Sequence, residues 1–246
     1  MVVESLPRLR FSKASIGFVG DTPLIVDVEM TVNAGEIVGL TGRSGIGKTT
    51  LLRTAAGLIS TLSGTVECCC TESTRAERGA IGLIPQRLGL VQHQSVGYNV
   101  ILGALAKASL LQTAFSLPNR VMRDATRDAI EAVGLSDKTL ESVNRLSGGQ
   151  QRRVAIARAM VQNPQLLLAD ECLGELDAET AREIIDLLRS LARDHGMAIL
   201  VVDHNPVRVR TFCDRVFQLR GHSLIPFDEE PADRGSTLPL VKEDSA

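Results

Sequence analysis

The sequence predicts an α/β fold: a parallel-sheet core with an N-terminal antiparallel β subdomain and an inserted helical subdomain. Three observations carry this expectation. An apolar strand over residues 36–41 runs into a glycine-rich loop and then a helix. Two short apolar runs, 165–169 and 198–202, flank an amphipathic helix, as strands buried on both faces of a parallel sheet do. Between these regions, residues 87–160 have mostly helical apolar spacing.

The elements follow in order. Residues 8–40 read as short strands, with turns at Gly20-Asp21 and Asn33-Ala34-Gly35, and form the β subdomain. The strand–loop–helix segment 36–57 begins the core. In its loop, Gly42, Gly45 and Gly47 allow a tight turn whose amide N–H groups point inward around phosphate oxygens. The helix from Thr49 and Thr50 adds a partly positive N-terminus with unpaired donors. Lys48 is expected to reach β- and γ-phosphates, and the Thr49 hydroxyl to ligate Mg²⁺.

Within the insert, apolar spacing runs from Val100 through Leu111 and from Ala125 to Val133. Ser147 is a natural N-cap for a helix from Gln150 to Val161, and Gly148 and Gly149 permit close backbone approach there. After the Asn163-Pro164 turn, strand 165–169 delivers two adjacent carboxylates. Asp170 suits Mg²⁺, directly or through water, and Glu171 suits a general base that polarises water. Helix 178–195 places Ile184, Ile185, Leu187, Leu188 and Leu191 on its inner side.

A net charge of −2 gives no electrostatic case for nucleic acid. No apolar run approaches the length of a membrane span and no signal peptide is evident, so a soluble, cytoplasmic chain is expected. Residues 227–246 hold six acids and two bases, together with Pro231, Gly235 and Pro239. They read as a flexible acidic tail, leaving 1–226 as the domain. Cys68, Cys69 and Cys70 close a probable strand, where alternate side chains point to opposite faces and cannot share one ion. Cys172 adjoins Glu171, and two readings stand: a reagent-sensitive thiol or a buried, inert one.

The phosphate loop Gly42-Arg43-Ser44-Gly45-Ile46-Gly47-Lys48-Thr49, the string Leu146-Ser147-Gly148-Gly149-Gln150, and Leu166-Leu167-Leu168-Ala169-Asp170-Glu171 stand in a telling order and spacing. Together they resemble the ATP-binding subunit of an ATP-binding-cassette (ABC) transporter, over residues 8–222. The resemblance implies a P-loop NTPase core of RecA type that hydrolyses ATP with Mg²⁺. ATP would lie against residues 42–50, with Phe18 on the adenine where the family usually has tyrosine. Gln86 would touch Mg²⁺ or the water and link to the membrane subunit, and His204 would contact the γ-phosphate. Ser147, Gly148, Gly149 and Gln150, with Asp177 at the interface, would act in trans on ATP held by a second copy. The resemblance therefore implies a homodimer in the ATP-bound state. It also implies permease subunits that hold the pair on the inner face of the membrane, and indirectly a substrate-binding protein.

The stretch Glu171-Cys172-Leu173-Gly174-Glu175-Leu176-Asp177 departs from the family, which usually has proline after the base and then serine and alanine before Leu-Asp. Turnover rate and dimer affinity are thereby left open. Ser95 to Leu105, Phe115-Ser116, Asp177 to Arg182 and Phe212 to Val216 resemble the subunit of phosphonate importers, which implies uptake of phosphonates or related phosphorus oxyanions. Two alternatives remain: an exporter ATPase of the lipoprotein- or drug-release type, and a non-transport ABC ATPase.

Overall fold

The parallel strands of this protein carry their functional residues at one edge because all of them run the same way. A computed structural model describes residues 7–69, 79–105, 119–174 and 176–227. Leu111, Phe115, Ser116, Cys70, Glu175 and the tail beyond Phe227 lie outside the described residues.

Strands β1 (Leu9–Ile16), β2 (Ile25–Val32) and β4 (Ser63–Cys68) form an antiparallel sheet in the order β2-β1-β4, with Leu9 opposite both Val32 and Cys68. The second sheet has the order β5-β6-β7-β3-β8-β9. It is built from β3 (Ile37–Gly42), β5 (Ile81–Ile84), β6 (Leu166–Asp170), β7 (Ala198–Val202), β8 (Arg215–Arg220) and β9 (Ser223–Pro226). Among the described residues its pairs are parallel except β8–β9, which is antiparallel.

Every residue of β6 and β7 is buried, as continuous apolar runs in a covered parallel sheet require. Their side chains divide by parity. Leu167, Ala169, Ile199 and Val201 pack into one core with four helices: α2 (Val96–Ala104), α3 (Arg120–Ala132), α4 (Gly148–Met160) and α5 (Ala178–His195). Leu166, Leu168, Leu200 and Val202 pack on the other face, with α1 (Lys48–Ala55) and the antiparallel sheet. Each leucine so buried contributes about 1.5–3 kcal/mol. Helix α5 is capped by Asp177 and ends at Gly196 in the left-handed region, φ 65°, with Arg193 and His195 in its last turn, where cations suit the helix dipole.

Several expectations need adjustment. The β subdomain is not 8–40 alone: β3 belongs to the large sheet, and β4 supplies the third antiparallel strand. Strand β6 runs through Asp170, and α4 begins at Gly148, because Ser147 is its N-cap. Leu187 lies on the inner side of α5 as expected, half-buried against the core, and buried Ala181 and Ala192 are added to that side. Alternation does not extend through the cysteines: β4 ends at Cys68, and Cys69 turns into the left-handed region at φ 47°. The β8–β9 hairpin and the short helix α6 (Pro206–Arg210) had no counterpart in the sequence reading.

Candidate active site

Because β3, β5, β6 and β7 are parallel, their carboxyl ends share one edge of the sheet. That edge is where open α/β sheets bind ligands. β3 runs into the phosphate loop, β5 leads to Gln86, β6 ends in Asp170 and Glu171, and β7 is followed by Asp203 and His204.

In the phosphate loop, Arg43, Ser44 and Gly45 are exposed, and Gly42 and Ile46 are half-buried. Gly47, in the left-handed region at φ 112°, precedes α1 with no side-chain cap. Lys48 is buried, and its Nζ donates to the carbonyls of Gly42 (2.9 Å) and Arg43 (3.0 Å). Thr50 continues the first turn.

The Thr49 hydroxyl donates to Asp170 Oδ2 at 2.9 Å. Asp170 Oδ1 is buried without a hydrogen-bond partner. Burial pushes this carboxyl above the usual carboxylate range, and the Thr49 bond and the charges of Lys48 and Arg53 counter part of that push. A buried carboxylate oxygen with no donor is an acceptor for a cation. Beside it, Gln86 Nε2 donates to Glu171 Oε2 at 2.7 Å, which leaves the Gln86 carbonyl oxygen available. Among the described residues no cluster of three or more His, Cys, Asp or Glu side chains is present. A cation here would thus have one carboxylate and neutral oxygens from the protein, a set that suits Mg²⁺ shared with substrate phosphates.

Glu171 sits at φ 50°, a left-handed backbone that costs a non-glycine residue on the order of 1–3 kcal/mol. The strain is held by its N–H on Val202 O (2.9 Å) and by Gly174 N–H on its own carbonyl (3.1 Å). His204 is 60% exposed. Phe18 is exposed on the β1–β2 loop. The base of that loop abuts the phosphate loop, since a Cβ on Gly47 would meet Leu24 and Ile25 at 3.6 and 3.5 Å.

A second group forms around the start of α4. Ser147 and Gln150 make a capping box: Gln150 N–H donates to Ser147 Oγ (3.2 Å), and Ser147 N–H donates to Gln150 Oε1 (3.0 Å). Gly149 lies against Thr180, whose N–H (2.9 Å) and hydroxyl (2.7 Å) bond to Asp177. These bonds hold the Asp177 carboxyl below its ordinary range. Ser147, Gly149, Gln150 and Thr180 line one pocket with Arg153 and Glu183. Arg152 joins the two groups by donating to the Gly174 carbonyl.

The sequence reading passed over Arg152, Arg158, Asn99 and Asp203. Arg158 donates to the carbonyls of Leu88 and Gly89, and buried Asn99 bonds to Val91 N–H (2.7 Å) and Val91 O (3.1 Å), which ties the segment after Gln86 to α2 and α4. Asp203 had a usable signal, being an acid at the end of an apolar strand, as Asp170 is.

Residues 25–174 match the family model described as ABC transporter. The chain is 36% identical over 230 residues to a phosphite import ATP-binding protein of Stutzerimonas stutzeri, covering 92% of this chain and 83% of that one. It is 37% identical over 229 residues to a phosphonates import ATP-binding protein of Caulobacter vibrioides, covering 89% and 86%. A methionine import ATP-binding protein of Rhizobium etli is 40% identical over 208 residues, covering 80% of this chain and 54% of that one. Among solved structures, cbiO1 of Clostridium perfringens, part of the ABC transporter complex cbiONQ, superposes with a TM-score of 0.77 at 26% identity, covering 89% and 87%. An ATP-binding cassette of an ABC transporter in its ADP conformation gives 0.78 at 22%, covering 90% of each chain. On its motifs, its fold and these matches, the chain belongs to the ABC transporter family, as an ATP-binding subunit whose ATP hydrolysis is coupled to transport.

Proposed function

We propose that this subunit powers import of phosphonates or related phosphorus oxyanions through a separate permease, with a substrate-binding protein delivering the cargo. Two copies close on two ATP molecules, and closure moves the helical inserts against the permease at the inner face of the membrane. The observation that carries the hydrolytic part is the paired contact at the sheet edge, Thr49 to Asp170 and Gln86 to Glu171.

The phosphate loop and the uncapped start of α1 receive the phosphates, with Phe18 against the adenine. Lys48 turns its ammonium from the loop carbonyls toward the β- and γ-phosphates. Thr49, Asp170 and the Gln86 carbonyl are the groups that would hold Mg²⁺. When bound, Mg²⁺ supplies charge neutralisation on the transferred phosphoryl group. Glu171 Oε2 is occupied by Gln86, so Oε1 takes the proton of the attacking water. The water oxygen bonds to the γ-phosphorus as the bond to the β–γ bridging oxygen breaks, and that oxygen leaves with the electron pair on ADP. His204 contacts the γ-phosphate. Ser147, Gly148, Gly149 and Gln150, with Asp177, serve the ATP held by the other copy.

Glu171→Gln tests the base. ATP binding persists, turnover falls by about 10²–10⁴-fold, and the ATP-bound dimer accumulates on size-exclusion chromatography. Unchanged turnover removes Glu171 from this role. Phosphite and phosphonates, which the names of two relatives carry, support the cargo, whereas the methionine importer at 40% identity shows that similarity spans several cargos. A deletion strain should therefore be grown on a phosphonate, on phosphite, or on methionine as the limiting nutrient. Loss of growth on the phosphorus sources, restored by the wild type and not by Lys48→Ala, supports the reading. Loss on methionine alone reassigns the cargo, and normal growth on all three favours export.

A further inference from the structure

Strand β7 is followed by a carboxylate that the hydrolytic scheme does not use. Asp203 is fully buried, and its carboxylate accepts Asn205 N–H at 2.8 Å and Arg208 Nε at 3.1 Å. Arg208 Nη2 reaches both oxygens, at 2.9 Å and 2.7 Å. Asn205 in turn accepts Arg208 N–H at 3.1 Å and caps α6. Five hydrogen bonds thus close residues 203–208 into one knot.

The knot is tied to both halves of the site. Asp203 N–H donates to Leu40 O (3.1 Å) on the strand that enters the phosphate loop. One residue earlier, Val202 O accepts from Glu171 N–H (2.9 Å). His204 is the residue inside the knot whose ring faces out, with Nδ1 3.8 Å from Asp203 Oδ1. That separation is too long for a hydrogen bond, so Asp203 acts on His204 through the backbone it fixes. A buried ion pair of this kind adds little stability over apolar residues of the same size, because desolvation opposes the attraction. What it adds is direction, since a bidentate guanidinium fork fixes angle as well as distance.

We propose that Asp203 and Arg208 are positioning residues that set the backbone of the β7–α6 turn so that His204 meets the γ-phosphate. The proposal rests on the reading of His204 as a γ-phosphate contact. Removing one partner strands a buried charge, so the informative variant is the neutral pair Asp203→Asn/Arg208→Gln, with Arg208→Lys as a milder second variant that keeps the charge and loses the fork.

Steady-state ATPase of the full chain is measured for each variant with His204 present and in the His204→Ala background. The neutral pair should lower kcat about tenfold with the KM for ATP within about twofold, the signature of a misplaced group rather than lost binding. Arg208→Lys should lose about two- to fivefold. Both losses should vanish in the His204→Ala background, because there is then nothing left to position. Equal losses in the two backgrounds overturn the positioning role and leave His204 standing. If His204→Ala alone leaves kcat unchanged, the reading of His204 fails and the proposal falls with it.

Discussion

Helix α1 begins directly after a glycine, Gly47, and helix α4 begins with two, Gly148 and Gly149, yet they treat their N-termini in opposite ways. Helix α1 follows Gly47 with no side-chain cap, so its first N–H groups point into the loop unclaimed by a neighbouring side chain. Helix α4 follows Ser147 with a full capping box, which engages the N–H groups of Ser147 and Gln150. Every α-helix start leaves about four donors without helical partners. At α1 these remain for a ligand; at α4 the chain consumes part of the set and leaves Gly148 and Gly149 between the two capped residues. The surroundings differ too. Lys48, the first residue of α1, is buried, whereas Ser147 and Gly148 are exposed. A terminus set among buried charges suits an anion held within one chain, and an exposed, capped terminus suits contact with something outside it.

Lys48→Ala tests the α1 side and has the largest expected effect. The ammonium is the buried cation of the loop, bonded to Gly42 O and Arg43 O, and a methyl group can replace neither those bonds nor its charge on phosphate. Steady-state ATPase should fall by about 10³-fold or more, with weakened ATP binding by calorimetry. ATPase within a few-fold of wild type would mean that backbone donors alone suffice and that the two termini differ less than their capping suggests.

The α4 side is probed by two adjacent alanines. A Cβ on Gly148 meets nothing within 4 Å, but one on Gly149 would lie 2.2 Å from Thr180 Cγ2. Gly149→Ala should therefore destabilise the fold by about 1–3 kcal/mol through overpacking. Gly148→Ala should leave the melting temperature within about 2 °C of wild type, since alanine is the better helix former. If α4 serves a nucleotide on a second copy, Gly148→Ala should nonetheless lower ATPase by about 10–10²-fold and weaken the ATP-bound dimer. Full activity in that variant would show that nothing approaches α4 closely during turnover.

The same contrast explains what could be read in advance. Strand 198–202 and helix 178–195 were legible to the residue, because a continuous apolar run and a 3.6-residue period leave few alternatives. The β8–β9 hairpin was not. Arg215–Arg220 mixes polar and apolar residues on half-buried positions, and β9 is four residues ending in Pro226. The grouping of Thr49 with Asp170 followed from motifs at the ends of parallel strands, and that of Gln86 with Glu171 from the family resemblance. The supporting arginines did not follow: Arg152 and Arg158 reach backbone carbonyls, a use of arginine that leaves no pattern in sequence. The free Asp170 oxygen and the left-handed backbone of Glu171 are likewise properties of packing alone.

Asp170→Asn sharpens the comparison at a smaller scale, because it separates stability from function on the α1 side. Burial raises this carboxyl above its ordinary range, so its ionised form costs the nucleotide-free fold stability at neutral pH. That cost shrinks as pH falls through the raised folded value toward the unfolded one. Asparagine keeps an acceptor for Thr49 and removes the charge. Without nucleotide, its melting temperature at neutral pH should exceed that of wild type by about 2–4 °C, with the gap narrowing in acid, while Mg²⁺-dependent ATPase is lost. A lower melting temperature would mean that the attraction of Lys48 and Arg53 outweighs desolvation.

The smallest expected effect concerns Cys172, between Glu171 and the turn that Arg152 holds. It is 1% exposed, and its thiol is pushed up to about 12, first by burial and then by the charge of Asp203. Thiolate is the reacting form, so a thiol raised this far stays protonated at pH 8, and it is also shielded from solvent. Cys213 is raised in the same direction, chiefly by burial. Of the two readings open at the sequence, the structure selects the inert thiol. Iodoacetamide at pH 8 should leave Cys172 and Cys213 unmodified in the folded protein, with ATPase unchanged, and modify both in urea, as read by peptide mass spectrometry. Rapid labelling of Cys172 in the folded chain, with matching loss of activity, would show that the turn after Glu171 opens on the timescale of the reaction. Glu171 would then be held less firmly than its hydrogen bonds to Val202 and Gly174 imply.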